Sequence, residues 1–279
     1  MTDTSTTLSI KGRYSRNLKC LFEALNKFCS STIKFYLFAN SDEVLLISHT
    51  PGSIICNMIK LTKSMFQEFK FNPTYSNSRN GYFCRFEFKE FESLIKLLET
   101  DQELRMEIPA NDNELKFLQN ITGNDLVIEK QLGLRMLYEE FANIESLSSA
   151  FVGNSGIVFT LELPNVSSFK HAIEKVFGHL RLENILIKFV LHVENKGIYI
   201  ENLSSGSSKT KVVYTKFNII KGDSREYKYK YSMKSLHQAL CFFTKDANIQ
   251  LKCDYNGTLF ILSRYAETMS ETAIPRVIE

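Results

Sequence analysis

TLSIKGRYSRNLKCLFEALNKFCSSTIKFYLF (7–38) reads as strand, helix, strand, and GIVFTLELPNVSSFKHAIEKVFGHLRLENILIKFV (156–190) repeats that order. In the first stretch, residues 7–11 alternate in polarity. Leu18, Leu21, Phe22, Leu25, Phe28 and Cys29 then fall at the three- and four-residue spacing of one helix face. Residues 32–38 alternate Ile33, Phe35 and Leu37 against Thr32, Lys34 and Tyr36. In the second stretch, a strand over 157–163 is broken by Pro164-Asn165. Phe169, Ile173, Val176, Phe177 and Leu180 share a helix face, and residues 185–193 form another strand. Strands at 43–48 and 53–61, joined through His49-Thr50-Pro51-Gly52, have a counterpart at 197–203. The order strand, helix, strand, strand thus occurs twice, about 150 residues apart.

Each half repeats the theme within itself. Residues 82–88 lead into a helix over 89–99 with Phe91, Leu94, Ile95 and Leu98 inward, and strands follow at 104–108, 114–119 and 125–130. Residues 226–231 lead into a helix over 232–244 with Met233, Leu236, Leu240 and Phe243 inward, and strands at 248–254 and 258–263 close the pattern. Residues 132–154 carry no clean period and run into the cluster Gly153-Asn154-Ser155-Gly156, as a connector between two similar domains would. The expected organisation is an N-terminal domain over 1–131, a connector over 132–154 and a C-terminal domain over 155–279.

Composition narrows the class. The chain has 279 residues, 44% of them hydrophobic and 23% charged, so it can bury a core and is not wholesale disordered. A net charge of +3 excludes a histone-like polycation. No apolar run approaches the roughly 20 residues that span a bilayer, so no membrane association is expected. Residues 1–7 are Thr/Ser-rich and read as a short disordered lead, not a signal peptide. In that setting the N-x-S/T triplets at Asn120, Asn165, Asn202 and Asn256 are chance matches. Cys20, Cys29, Cys56, Cys84, Cys241 and Cys253 contain no C-x-x-C pair, and most lie among apolar neighbours. They read as reduced and structural, which favours the cytosol or nucleus.

Charge is distributed unevenly. The four predicted helices carry Arg13, Arg16, Lys19, Lys27, Lys89, Lys96, Lys170, Lys175, Arg181, Lys234 and Lys245 against Glu23, Glu90, Glu92, Glu99, Glu174 and Asp246. That is 11 basic residues against 6 acidic, whereas the rest of the chain has 23 against 25. Helices lying on one side of the sheets would present a basic surface suited to phosphates, in a sequence-independent and salt-sensitive way. Solvated amphipathic helices without a ligand give the same pattern.

Nothing points to catalysis. His49, His171, His179, His192 and His237 are scattered without metal-ligand spacing, and no phosphate-binding loop, nucleophile elbow or H-E-x-x-H motif occurs. No cofactor or metal is expected, and the chain reads as a non-enzyme.

Four strand–helix–sheet units in two tandem domains with basic helices resemble the sliding DNA clamp family, to which proliferating cell nuclear antigen belongs. LHQALCFFTK (236–245) resembles the last helix of that clamp, and ISHTPGSIICNMIKL (47–61) its segment in which a small polar turn joins two strands. SMFQEFKFNP (64–73) is similar to the Rad-nine type of subunit in the nine-one-one checkpoint clamp. The resemblance implies an α+β DNA clamp fold of two clamp-type domains, each with antiparallel sheets backed by two helices. It also implies a nuclear, heterotrimeric ring around duplex DNA, with two other clamp subunits, a clamp loader, and checkpoint and repair proteins as partners. A replicative homotrimeric clamp or another checkpoint-clamp paralogue is the alternative within the family, and a nucleic-acid-processing enzyme with an unrecognised site the alternative outside it. Lys19, Lys27, Lys96, Lys170, Lys175 and Lys234 match the hole-lining face and carry over as phosphate contacts. Edge strands that pair between subunits close such rings, and residues 114–119 and 211–217 are the edges expected here. In clamps the groove beneath the connector accepts partner peptides, which gives Leu137, Phe141, Ile144 and Leu147 a binding reading beside a plain packing one. Gln131, Leu134, Leu137 and Tyr138 have the spacing of a clamp-binding peptide, with Leu where its first aromatic belongs; strand and linker is the simpler reading. The resemblance departs at the C-terminus. Rad-nine-type subunits usually continue into a long phosphorylated tail that these residues do not contain, and residues 264–279 read as lacking a counterpart in the replicative clamp.

Overall fold

The computed structural model of the chain describes residues 6–28, 34–49, 56–72, 82–108, 114–122, 127–135, 156–177, 184–192, 194–202, 210–243, 247–265 and 268–278. Two compact units emerge. The first comprises Met1–Ser53, Asn57–Ser148 and Ala266–Ser270, and the second Ile54–Cys56, Ser149–Tyr265 and Glu271–Glu279.

In the first unit, β1 (Thr6–Ile10) leads into α1 (Gly12–Phe28), then β2 (Lys34–Ala39), β3 (Glu43–His49), β4 (Cys56–Thr62) and β5 (Phe66–Lys70). The second pass runs β6 (Tyr82–Phe86), α2 (Phe88–Leu97), β7 (Leu104–Ile108), β8 (Glu114–Thr122) and β9 (Val127–Arg135). One antiparallel sheet has the order β5-β1-β7-β8-β9, and β4-β3-β2-β6 are neighbours in another. The apolar helix faces read from the sequence fill the core. Phe91 of α2 stacks on Phe35 of β2 with ring centroids 4.4 Å apart and meets Phe22 of α1 at 5.3 Å. Each such buried aromatic contributes about 1.5–3 kcal/mol through the area it removes from water. The C-terminal end of α2 is tied to the five-stranded sheet. Glu99 N–H donates to Gln119 Oε1 at 2.7 Å, and Gln119 Nε2 donates to Glu99 O at 3.1 Å.

The second unit repeats this wiring: β10 (Ile157–Leu163), α3 (Val166–Phe177), β11 (Asn184–Val190), β12 (Gly197–Asn202), β13 (Lys211–Tyr214) and β14 (Asn218–Lys221), then β15 (Glu226–Ser232), α4 (Met233–Ala239), β16 (Asn248–Asp254), β17 (Leu259–Tyr265) and β18 (Thr268–Ile274). β14-β10-β16-β17 reproduce β5-β1-β7-β8, and β13-β12-β11-β15 reproduce β4-β3-β2-β6. In this correspondence β13 takes the place of β4, and β18 that of β9. Phe159 of β10 lies 4.7 Å from Phe189 of β11 and 5.0 Å from Tyr227 of β15, so the faces of the unit's two sheets meet. Fully buried Tyr231 donates its hydroxyl to Gly257 O at 2.9 Å. Gly257 has φ +81°, and a Cβ there would lie 2.6 Å from the Tyr229 ring, so this turn takes glycine.

Several elements differ from the sequence reading. Residues 114–119 are not an edge: β8 lies between β7 and β9, and β9 ends the sheet. Of residues 211–217 only Lys211–Tyr214 form a strand, β13, which does end its sheet; buried Phe217 precedes β14, which belongs to a different sheet. The helix expected over 232–244 is α4 followed by a tighter 3-10 turn, Leu240–Phe242, which buries both Phe242 and Phe243. The sequence pattern does not reveal β5 and β18. The last strand is split between the units, residues 268–270 in the first and Glu271 onward in the second. Among the described residues no helix is long and apolar enough to cross a membrane.

Candidate nucleic-acid interface

The helices owe their starts to local chemistry. At α2 the Glu87 side chain accepts from the N3 backbone, and Glu90 Oε2 accepts from Glu87 N–H at 2.6 Å, a complete capping box. Asn165 Oδ1 accepts Ser168 N–H at 2.9 Å at the start of α3, so the residue that breaks β10 also caps the helix. Ser232 Oγ accepts Ser235 N–H at the start of α4. With Leu18, Leu21 and Leu25 of α1 buried, the opposite face presents Arg13, Arg16, Cys20 and Glu23. The same argument turns Lys89 and Lys96 of α2 outward over Phe91 and Leu94. His171, Glu174 and Lys175 of α3 face out over Phe169 and Ile173, and Lys234 and His237 of α4 over Met233 and Leu236.

The six lysines read from the sequence are therefore not equivalent. Lys96, Lys175 and Lys234 are exposed and make no ion pair among the described residues. Half-buried Lys170 lies 3.9 Å from Glu174, one turn further along α3. Lys27 belongs to α1, but its side chain lies outside the described residues. Lys19 is engaged: its ammonium donates to Leu98 O at 2.8 Å and satisfies a carbonyl that the end of α2 leaves without a helical partner. Nearby, the Lys130 ammonium, 2.7 Å from Glu99, holds that carboxyl below the usual glutamate range, with a smaller contribution from Lys19. Arg13 and Arg16 occupy the outward row where Lys19 was expected. Arg16 lies 3.8 Å from Asp101, with both side chains well exposed, and Arg13 donates to the Tyr14 hydroxyl at 2.7 Å. Helical spacing distinguishes these positions only once the buried face is fixed, and residues 15–30, read as the helix, leave out its first turn.

The partner-peptide candidates Leu137, Phe141, Ile144 and Leu147 lie outside the described residues, as does Tyr138 of the clamp-binding spacing. Gln131 of that spacing is exposed on β9, opposite Leu118 of β8. Among the described residues no three His, Cys, Asp or Glu side chains are grouped to hold a metal ion, and His192 Nδ1 pairs with Ser224 Oγ at 2.9 Å.

No protein-family model matches the chain, and no curated protein matches it. Solved structures do. Proliferating cellular nuclear antigen from Entamoeba histolytica is similar with a TM-score of 0.73 and 11% identity, over 98% of this chain and 99% of that one. PCNA from Thermococcus kodakaraensis is similar with a TM-score of 0.70 and 11% identity, over 98% of this chain and 100% of that one. With coverage this complete, the reading that residues 264–279 lack a counterpart in the replicative clamp gives way; β18 stands where β9 stands in the first repeat. The chain has the DNA clamp fold: α+β, with two tandem clamp-type domains of antiparallel sheets, each carrying two helices.

Proposed function

We propose that this protein is a non-catalytic subunit of a ring-shaped clamp that encircles duplex DNA. The observation that supports this reading is a pair of strand edges. β4 and residues 268–270 of β18 come together in the first unit, where buried Asn57 Nδ2 donates to Ser270 Oγ at 2.9 Å. Their repeat counterparts, β13 and β9, each have one neighbouring strand among the described residues and leave the other edge open. Exposed Val213 on β13 and Ile128 on β9 add apolar surface to edges that would otherwise invite aggregation. Pairing β9 of one subunit with β13 of the next repeats within the ring the pairing of β4 with residues 268–270 inside the first unit. The outward rows carrying Arg13, Arg16, Lys89, Lys96, Lys175 and Lys234 then supply sequence-independent phosphate contacts weak enough to permit sliding.

The finer reading follows the sequence likeness of residues 64–73: a nuclear, heterotrimeric checkpoint clamp of the nine-one-one kind, placed on DNA by a loader and recruiting repair proteins. A replicative homotrimer is the second reading, favoured by the exposed apolar residue at each open edge, Ile128 and Val213, which lets the two edges of this one chain match each other. Light scattering after size exclusion separates them. A monomer that forms a three-membered ring only with two other clamp-like chains supports the heterotrimer, and a stable trimer of this chain alone supports the homotrimer. A chain that forms no ring by either route, and is retained no better on circular than on linear DNA, overturns the clamp reading.

A further inference from the structure

The face of the four-stranded sheet β13-β12-β11-β15 that points away from the core of the second unit carries an unusual set of side chains. Antiparallel register places Lys228, Lys188, Tyr199 and Val213 in one row across the four strands. The next row holds Lys230, Leu186, Glu201 and Lys211. Lys188 and Lys228 are directly opposite one another, a like-charged cross-strand pair that costs stability. Glu226 takes Lys188 at 2.8 Å and Glu201 takes Lys211 at 3.1 Å, whereas exposed Lys228 has no anion among the described residues. The Lys188 and Lys211 ammoniums lie 5.7 and 5.1 Å from the centre of the Tyr199 ring. Val213 is 46% exposed at the far end of the first row.

We propose that this face docks an acidic segment of a partner protein. Lys188, Lys211 and Lys228 outnumber Glu226 and Glu201, and the repulsion between Lys188 and Lys228 is relieved by an added anion, which gives the charge complementarity its direction. Carboxylates of the segment sit over Lys228 and Lys188, and an apolar side chain rests on Val213. The two ends of the row are three strand spacings apart, about 14 Å, a distance that roughly four residues of extended chain cross. Nucleic acid fits less well. Ammoniums already lie over the Tyr199 ring, which a base would need as a stacking surface, and Glu201 and Glu226 would repel a phosphate backbone. The inference rests on the second unit alone; pairing of β13 in a ring would cover Val213 and leave the segment its lysine contacts.

The test is fluorescence anisotropy with the full chain and a short labelled peptide in which glutamates flank a leucine. Controls are the same peptide with glutamines for glutamates, and a short duplex DNA. Expected is salt-sensitive binding of the acidic peptide only, weakened about tenfold by K188E/K228E and less by K228Q, with an unchanged circular dichroism spectrum. Both positions lie on the outer face of the sheet, so the core stays untouched, and K228Q keeps the test valid should the double reversal fail to fold. Equal binding of the neutral peptide, acidic binding unaffected by both variants, or DNA binding lost in their place would each overturn the proposal.

Discussion

Replacing Lys19 by methionine separates a structural lysine from a phosphate contact. The Lys19 ammonium, half-buried, donates at 2.8 Å to the carbonyl of Leu98, a residue with no exposed surface. Methionine keeps the length of the side chain and removes the donor, so the carbonyl is left unsatisfied at a cost of about 1–3 kcal/mol. The first unit's thermal transition should then fall by several degrees, at roughly 2–4 °C per kcal/mol for a unit of this size. DNA affinity measured against salt should keep its slope, because this ammonium is turned toward α2 and not toward solvent. The contrast is K96M/K175M, which removes two exposed ammoniums. The slope of log K against log salt should fall by about 1.8, at ~0.9 for each phosphate no longer neutralised, with little change in melting. Calorimetry and a salt series on a closed circular duplex supply both readouts. A Lys19→Met variant with native melting and a slope lowered by about one would refute the reasoning and return Lys19 to the proposed row of phosphate contacts.

Tyr231→Phe deletes the buried hydroxyl that donates to Gly257 O, and the second unit should lose about 1–2 kcal/mol in urea unfolding, with no change in m. Burial raises the Glu271 carboxyl above its ordinary range, against the opposing pull of Lys252 and then Arg264. Stability present below the unfolded glutamate range is therefore lost as pH rises through the raised native one. Glu271→Gln should gain on the native protein in melting temperature between about pH 4 and pH 7, and a difference constant across that range would rule this out. Burial pushes the Cys56 and Cys253 thiols each up to about 12, so neither should react with a thiol reagent in the native protein near pH 8. Exposed Cys20 should react quickly, and Cys20→Ser should remove one fast-reacting thiol while Cys56→Ser removes none.

The repeat was legible because amphipathic helices announce themselves. Leu18, Leu21, Phe22 and Leu25, and later Phe91 and Leu94, occupy the buried faces their spacing predicts, and each of the four expected helices has a described counterpart with shifted ends. The last strand was not legible. TMSETAI buries Thr268, Ser270, Glu271 and Thr272 along with Ala273 and Ile274, so it shows no alternation, and polar residues at such density read as loop. Edge and centre were also beyond the sequence. Glu114 to Thr122 and Val127 to Arg135 alternate equally well, and only pairing reveals that the first has two neighbours and the second one. At the candidate interface, composition found the basic helices but not which ammonium is free. That depends on which carbonyl lies within reach, and Leu98 is 79 residues from Lys19 in the chain.

The bond between Asn57 and Ser270 spans 213 residues. A nascent chain emerging from the ribosome can form the helices and hairpins of the first unit early, but its full complement of strands exists only once residues 268–270 have been made. The first unit must wait, partly assembled, until nearly all of the second has been made, with open strand edges during the interval. Expressing residues 1–148 alone would recreate that waiting state permanently, so dissecting this protein at its apparent domain boundary should yield an aggregation-prone fragment instead of half a clamp.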